Sequence, residues 1–195
     1  MVEWEEWEWA ERADVQVMPV LDLLVLKRCN LWSLPTGLAS HARMLKKLFV
    51  YEVQHLSSLE NLVSIVELEV FDNPNLEKIR NLPKLQKLTI VKCQKMKILY
   101  GMPAIQKLEL EDYCMDTLPT YLQNVNPRYL LLDCSLLLLT SIANGKYGIE
   151  RDKFNHIQHV NIYACDRHNP RKWSDKRSRQ RLDPGQRSID TVHSI

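Results

Sequence analysis

Apolar residues recur through the middle of the chain in one spacing, L-x-x-L-x-L, followed three positions later by Asn or Cys. The clearest copy has Leu85, Leu88, Ile90, Cys93, Met96 and Leu99 at these positions. The anchor leucines of five successive copies, the last four of them evenly spaced, are Leu24, Leu48, Leu68, Leu88 and Leu108. One L-x-x-L-x-L alone would occur in any amphipathic strand, whereas five in succession indicate a repeat.

Each copy predicts one short β-strand followed by a returning segment. In L-x-L the side chains alternate, so Leu88 and Ile90 point to one face and Thr89 to the other. No single copy can bury its apolar side, but stacked copies share one core. A period of about 20–29 residues is typical of leucine-rich repeats. The pattern therefore predicts an α/β leucine-rich-repeat solenoid, a horseshoe with a parallel β-sheet on its concave face and irregular or short helical segments on its convex face.

Two later copies are less regular. A strand is predicted around 129–134, where the register is ambiguous by one residue. An insert over 141–153 follows, in which Asn144-Gly145 and Gly148 are typical of turns. The spacing then returns at Ile157, Val160, Ile162 and Cys165.

The Asn or Cys position is predicted to lie where the chain turns inward after each strand. We expect the side-chain amide of Asn73 to satisfy backbone groups there. We expect Cys29, Cys93 and Cys165 to fill the same buried position as small apolar residues with a weak S–H donor.

Composition divides the 195 residues into three parts. Because 29 of the 30 leucines lie between Leu21 and Leu139, we predict a repeat domain of about seven units over 18–166. Residues 1–17 form an acidic, Trp-rich N-terminal edge, predicted to be a partial repeat. Residues 167–195 form a basic tail, predicted to be disordered, with eight bases and two acids before residue 188.

The sequence favours a soluble protein in a reducing compartment. The five cysteines are odd in number and include no CxxC pair. The N-terminus is acidic, unlike a signal peptide, and the longest leucine run, 136–139, is far shorter than the roughly 20 apolar residues that cross a bilayer. We therefore predict a cytoplasmic location, with a nuclear one as the alternative, and no membrane partner.

The outward positions of the predicted strands are the candidate recognition surface, and they align in three columns. The columns are Lys47, Glu67, Lys87 and Lys107; Val25, Phe49, Glu69, Thr89 and Glu109; and Lys27, Tyr51, Phe71, Val91 and Glu111. The partner-binding surface is predicted to comprise Lys47, Phe49, Tyr51, Glu67, Glu69, Phe71, Lys87, Thr89, Lys107 and Glu109. Aromatic side chains are enriched in binding hot spots; the alternative is that these aromatic residues pack against each other or against a neighbouring loop.

Both ends of the chain have two interpretations. Trp4, Trp7 and Trp9 either cover the open apolar end of the solenoid or form a docking edge. The stretch RKWSDKRSRQR, from Arg171 to Arg181, is either a solvated tail or a nuclear-localisation or nucleic-acid segment. Its one aromatic residue, Trp173, gives little support for stacking on bases, so we do not expect nucleic acid to be a partner.

Catalytic, cofactor and metal sites have little support in the sequence, and we predict a non-enzymatic protein without cofactors. The chain contains no G-x-S-x-G and no phosphate-binding G-x-x-x-x-G-K-[ST] motif. His156, His159, Cys165 and His168 number enough for zinc. However, Cys165 falls on the Cys position of the repeat, and His159 falls on the outward side of a strand.

Three stretches carry a resemblance to a known family. They are VEWEEW followed by MPVLDLLVLKRCNLWSLP, then NLPKLQKLTIVKCQKMKIL, and finally HVNIYACDRHNPRKW. Over about residues 2–173 the chain resembles the leucine-rich-repeat region of plant, grass-type, nucleotide-binding leucine-rich-repeat disease-resistance proteins.

The resemblance implies recognition of a pathogen effector, a host target or the receptor's own nucleotide-binding domain, with intramolecular autoinhibition. The family places a coiled coil and a nucleotide-binding module before the repeats. Neither is in this sequence, so the resemblance implies a truncated chain that opens in mid-repeat at Met1. The alternatives are an intracellular leucine-rich-repeat adaptor, such as a ubiquitin-ligase substrate receptor, and a nuclear factor that uses the basic tail.

Overall fold

The chain winds into a solenoid of parallel strands in the computed structural model, which describes residues 18, 20–35, 37–143 and 148–165. Each turn contributes one strand to a seven-stranded sheet in which all neighbours are parallel. In spatial order these strands are β1 Leu23–Lys27, β2 Lys47–Tyr51, β4 Glu67–Phe71, β6 Lys87–Val91, β8 Lys107–Glu111, β9 Tyr129–Ser135 and β10 His159–Cys165. The predicted repeat solenoid with a parallel sheet is confirmed.

The returning segments of the three central turns form a second parallel sheet. It consists of β3 Ser58–Glu60, β5 Lys78–Arg80 and β7 Ile98–Tyr100, in that order. The expectation of irregular or short helical segments is wrong for these turns. Because these successive turns are equally long, equivalent segments lie side by side, one strand spacing apart, and exchange ladder hydrogen bonds.

Helices occur where a turn is longer than these central ones. The long first turn contains α1 Leu38–His41, and the next long turn contains a 3-10 helix over Thr120–Asn124. The turn before β10 contains α2 Leu136–Ala143 and α3 Gly148–Asp152. A helix rises only about 1.5 Å per residue, so it takes up extra residues over a short distance. Gly148 therefore begins a helix and is not the turn residue we expected; Asn144-Gly145 lie outside the described residues.

The core is one hydrophobic cluster that contains the inward residues of both sheets. Leu48, Leu68 and Leu88 of the large sheet and Leu59 and Ile79 of the small sheet are fully buried. Each such side chain contributes about 1.5–3 kcal/mol relative to an exposed one. None of the helices in the described ranges has the length and apolar character needed to cross a membrane.

The register of β9, ambiguous in the sequence, follows from its burial. Leu130, Leu132 and Cys134 are buried and pair with residues of β10, whereas Tyr129 is exposed. The strand predicted at 129–134 is therefore confirmed, with Tyr129 on the outward face.

Each strand of the small sheet is followed by a residue whose backbone is in the left-handed conformation. Asn61 has φ 59°, Asn81 has φ 57° and Gly101 has φ 78°. Asparagine tolerates this conformation better than most residues, and glycine adopts it freely. Asn81 Nδ2 donates to Asn61 Oδ1 at 2.6 Å. A Cβ at Gly101 would lie 2.9 Å from the backbone nitrogen of Asn81, so the turns stack too closely there for a side chain.

Candidate protein-recognition surface

The strand register brings the predicted outward columns together. In the first column Lys47, Glu67, Lys87 and Lys107 are successive partners. In the second, Val25, Phe49, Glu69, Thr89 and Glu109 are partners, and in the third Lys27, Tyr51, Phe71, Val91 and Glu111 are. The predicted alignment is confirmed because the anchor leucines stay in register from one strand to the next.

Two of the aligned residues are buried. Thr89 retains only 5 % of its accessible surface and Val91 only 1 %, so the expectation that they lie open on the surface is wrong. Both are short side chains between larger register neighbours. Glu69 and Glu109 flank Thr89, and its hydroxyl donates to Glu109 Oε2 at 3.3 Å. Side-chain length, which alternation alone does not consider, therefore decides exposure on this face.

Phe49, Tyr51 and Phe71 form one contiguous group, which we call the aromatic cluster. The Tyr51 ring centroid lies 6.2 Å from that of Phe49 and 6.3 Å from that of Phe71, the latter edge-on. All three are half-buried. The rings therefore do pack against each other, the alternative that the sequence left open, while each keeps part of its surface accessible to solvent.

The hydroxyl of Tyr51 is fixed by a carboxylate. It donates to Glu69 Oε1 at 3.1 Å. Partial burial and the charge of Glu69 raise the pKa of Tyr51 to about 12, so the phenol stays protonated and acts as a donor at neutral pH. The cluster therefore combines apolar contact area with one oriented polar group, a combination enriched at binding hot spots.

Exposed aliphatic residues extend the aromatic cluster towards the N-terminal end of the sheet. On β1, Leu23 is 39 % exposed and Val25 is 47 % exposed, and Val25 is the register partner of Phe49. On the other side, Lys92 Nζ lies 5.8 Å from the centroid of the Phe71 ring, within cation–π range. The outward face thus begins with an accessible apolar patch that has a cationic margin.

The middle of the face is a ladder of opposite charges. Glu67 lies between two lysines, with Oε1 2.8 Å from Lys87 Nζ and Oε2 3.4 Å from Lys47 Nζ. Lys107 pairs with Glu109 in the same way. The hydrogen bond from Lys87 lowers the pKa of Glu67 against the opposing effect of partial burial, and the same bond raises the pKa of Lys87. These charged side chains neutralise each other within the face. Each would therefore gain little free energy from a charged group on a bound protein.

An aromatic pair at the far end of the face was not predicted. Tyr129 and His159 stack with ring centroids 4.9 Å apart, and the Arg128 guanidinium lies 5.3 Å from the Tyr129 centroid. The one-residue ambiguity in the register of β9 hid this pair, since Tyr129 could not be assigned to a face. The outward position of His159 on the following strand was the only signal in the sequence that could have found it.

The histidines considered for zinc have other contacts. His159 stacks on Tyr129, and His156 Nε2 lies 2.8 Å from the carbonyl oxygen of Val125. Within the described residues no group of three or more His, Cys, Asp or Glu side chains is arranged to hold a metal ion. His168 lies outside the described residues.

The inward Asn or Cys position stabilises the turn beneath the surface. Asn73 is fully buried; its Nδ2 donates to the Val50 carbonyl at 2.9 Å, and its Oδ1 accepts from the Val53 amide at 2.9 Å. The predicted role of Asn73 is confirmed. Cys93 is buried at the equivalent position of the next turn, as expected, and its thiol donates to the Val91 carbonyl at 3.4 Å. Cys29 is only partly buried.

Ser135 takes the same position in the turn of β9, a role that the sequence did not reveal. Its hydroxyl donates to the Met115 carbonyl at 2.9 Å and accepts from the amide of Leu138 at 3.1 Å. The residue thereby joins two turns and caps α2. A register based on Leu130 and Leu132 would have placed Ser135 at the position that Asn73 holds in its own turn.

Other predictions lie outside the described residues. They concern Trp4, Trp7 and Trp9 of the acidic edge, and the basic tail over 167–195. Compared with known proteins, the chain matches no family model, no curated protein and no solved structure. The proposals below therefore depend on the fold, on the geometry of the surface and on the sequence patterns.

Proposed function

We propose that this chain is a leucine-rich-repeat module that binds a protein partner through the outward face of its seven-stranded sheet. The contact centre is the aromatic cluster of Phe49, Tyr51 and Phe71. The observation that carries the proposal is the contiguity of this cluster with the exposed Leu23 and Val25, next to the charged ladder in the middle of the face. A contiguous apolar patch with a polar border is typical of protein-interaction sites.

The distribution of charge supports the same centre. Glu67, Lys87 and Lys47 satisfy one another next to the cluster. In binding sites, charged pairs of this kind form a hydrated rim, whereas aromatic residues supply most of the affinity. In this proposal the charged side chains orient the partner, and the aromatic cluster provides most of the free energy of binding.

The sequence resemblance supports a particular biological setting. It indicates the repeat region of a plant immune receptor of the grass type, acting in the cytoplasm or nucleus. The partner is then a pathogen effector, a host target or the nucleotide-binding domain of a longer receptor, which the repeats hold inactive.

Binding, and not catalysis, is the proposed chemistry. Desolvation raises the pKa of Cys93 to about 11 and that of Cys134 to about 12, so both thiols stay protonated at neutral pH. A protonated thiol is a poor nucleophile. The two residues act as apolar filling of the core, in agreement with their burial.

Substitution of the aromatic cluster tests this function. A partner is first selected with the unmodified chain in a two-hybrid screen, and its affinity is measured with purified proteins. In the variant F49S/Y51S/F71S we expect the affinity to fall by about 100-fold or more, because hot-spot aromatics each contribute about 2 kcal/mol or more. Circular dichroism and the melting temperature verify that the variant is folded.

The matched control lies on the small sheet. Ile98 and Tyr100 are 40 % and 42 % exposed, so the variant I98S/Y100S removes accessible apolar surface from another part of the molecule. Its affinity should equal that of the unmodified chain. A folded F49S/Y51S/F71S variant that binds with unchanged affinity would rule out the aromatic cluster as the contact centre.

A further inference from the structure

A pocket of about 420 Å³ opens at the carboxyl ends of β6 and β8. Its apolar lining includes Met96, Met115 and Tyr121. The residue at the Asn or Cys position of this turn explains why the pocket is not filled. Tyr113 holds the Asn or Cys position of this turn, but it is only half-buried and its hydroxyl donates to Glu111 on the surface. The Tyr113 side chain therefore does not fill the space next to Cys93, and Cys93 is one of the residues that line the pocket.

The rim of the pocket is acidic. Among the described residues that line it, Glu111, Asp112 and Asp116 contribute three carboxylates, and Lys92 contributes the one ammonium group. The pocket thus combines an apolar interior with a net negative entrance. Such a site fits an apolar side chain that has cations on either side of it.

One segment of this chain has that character. Residues 171–181, RKWSDKRSRQR, contain six bases, one acid and a single aromatic residue, Trp173. Arg171 and Lys172 precede the tryptophan directly. An indole buries about 150–250 Å² of surface when it is enclosed, and a pocket of a few hundred Å³ is sufficient for a group of this size.

The segment is within reach of the pocket. All strands of the large sheet are parallel, so β10 ends at Cys165 on the same edge as β8. Two strand spacings separate β10 from β8, about 10 Å. Trp173 follows eight residues after Cys165, which can span up to about 26 Å.

We propose that this pocket is the docking site for the chain's own segment 171–181, with the Trp173 indole inside it and the flanking cations on the acidic rim. Apart from Lys92, which lies over Phe71 and also lines the pocket, this intramolecular contact does not involve the residues around the aromatic cluster, so either proposal can fail without the other.

The exposed thiol of Cys114 reports on the pocket, because Cys114 is one of its lining residues. The full chain is treated with a maleimide, and the rate at which Cys114 is labelled is followed by peptide mass spectrometry. We expect W173A to raise this rate by about tenfold, since removal of an anchor tryptophan opens the contact. The control L182A, an apolar substitution further along the same tail, should leave the rate unchanged.

Rescue in trans separates docking from an indirect effect. A synthetic peptide of residues 168–182 is added to the full-length W173A chain and should protect Cys114 again. The same peptide with alanine in place of the tryptophan should not. Equal labelling of Cys114 in the unmodified chain and in W173A overturns the proposal, as does equal protection by the two peptides.

Discussion

The three central turns of equal length, which we call the regular turns, and the longest turn, before β10, satisfy their buried backbone groups in different ways. In the regular turns a neutral side chain, Asn73, bonds to the carbonyl of Val50 and the amide of Val53. In the longest turn two charged side chains do so in addition to the neutral Ser135. Glu150 Oε2 accepts from the Leu118 amide at 2.6 Å, and Lys153 Nζ donates to the Leu118 carbonyl at 2.7 Å.

The difference follows from the length of the turns. Asn73 reaches back one turn because equivalent positions stack one strand spacing apart. The turn that contains α3 does not stack in this way, so longer side chains bridge the gap. Glu150 and Lys153 also pair with each other at 2.8 Å, and both are buried. The turn of Asn73 is thus held by uncharged hydrogen bonds, and the longest turn has a buried ion pair in addition to the neutral hydrogen bonds of Ser135.

The largest expected effect comes from breaking that ion pair on one side. The variant K153M leaves the Glu150 carboxylate buried without its cation and the Leu118 carbonyl without its donor. We expect the free energy of unfolding to fall by about 3–5 kcal/mol, the usual cost of an uncompensated buried charge. Urea unfolding followed by circular dichroism measures the change.

A double variant provides the control. In E150Q/K153M no charge remains buried, and the glutamine oxygen can still accept from the Leu118 amide. Its loss of stability should be clearly smaller than that of K153M. A double variant at least as unstable as the single one would show that charge compensation is not what holds this turn.

Removal of the neutral Asn73 side chain should lower the free energy of unfolding somewhat less than K153M does. The variant N73A leaves the Val50 carbonyl and the Val53 amide without partners in the core. Each unsatisfied buried group costs about 1–3 kcal/mol, so we expect a loss of about 2–4 kcal/mol in the same urea experiment. N73C should lose less, because cysteine fills this position at Cys93. Stability of N73A within about 0.5 kcal/mol of the parent, a typical scatter for surface substitutions, would contradict the role of the amide.

The same contrast explains which parts of the fold could be predicted from the sequence. The positions of β2, β4, β6 and β8, and the columns on their outward face, follow from a constant spacing of leucines. The role of Asn73 follows as well, because its position recurs in each turn. These features depend only on local alternation and on an equal number of residues in successive turns.

Other features depend on contacts that no local pattern contains. The link from Glu150 and Lys153 to Leu118 joins residues that are far apart in the sequence and lie in turns of unequal length. The burial of Thr89 depends on the size of its neighbours in other strands. The strands of the small sheet are too short for alternation to distinguish them from irregular segments.

The smallest expected effect is at Glu67, a half-buried residue on the outward face that forms an ion pair with Lys87. Its hydrogen bond to Lys87 holds the pKa of Glu67 below its ordinary value of 4.5. A carboxyl group with a lowered pKa in the folded state stabilises the fold above the unfolded pKa, and the gain disappears as the pH falls through the folded value. We therefore expect E67Q to be less stable than the parent near pH 7, by less than about 1 kcal/mol, and the two to converge as the pH falls below 4.5 and through the lowered pKa of the folded state. E77Q is the matched control, since Glu77 is more exposed and lies farther from its partner Lys97, at 3.7 Å. A stability difference for E67Q that stays constant between pH 7 and pH 3 would show that the charge of Glu67 does not contribute to the stability of the regular turns.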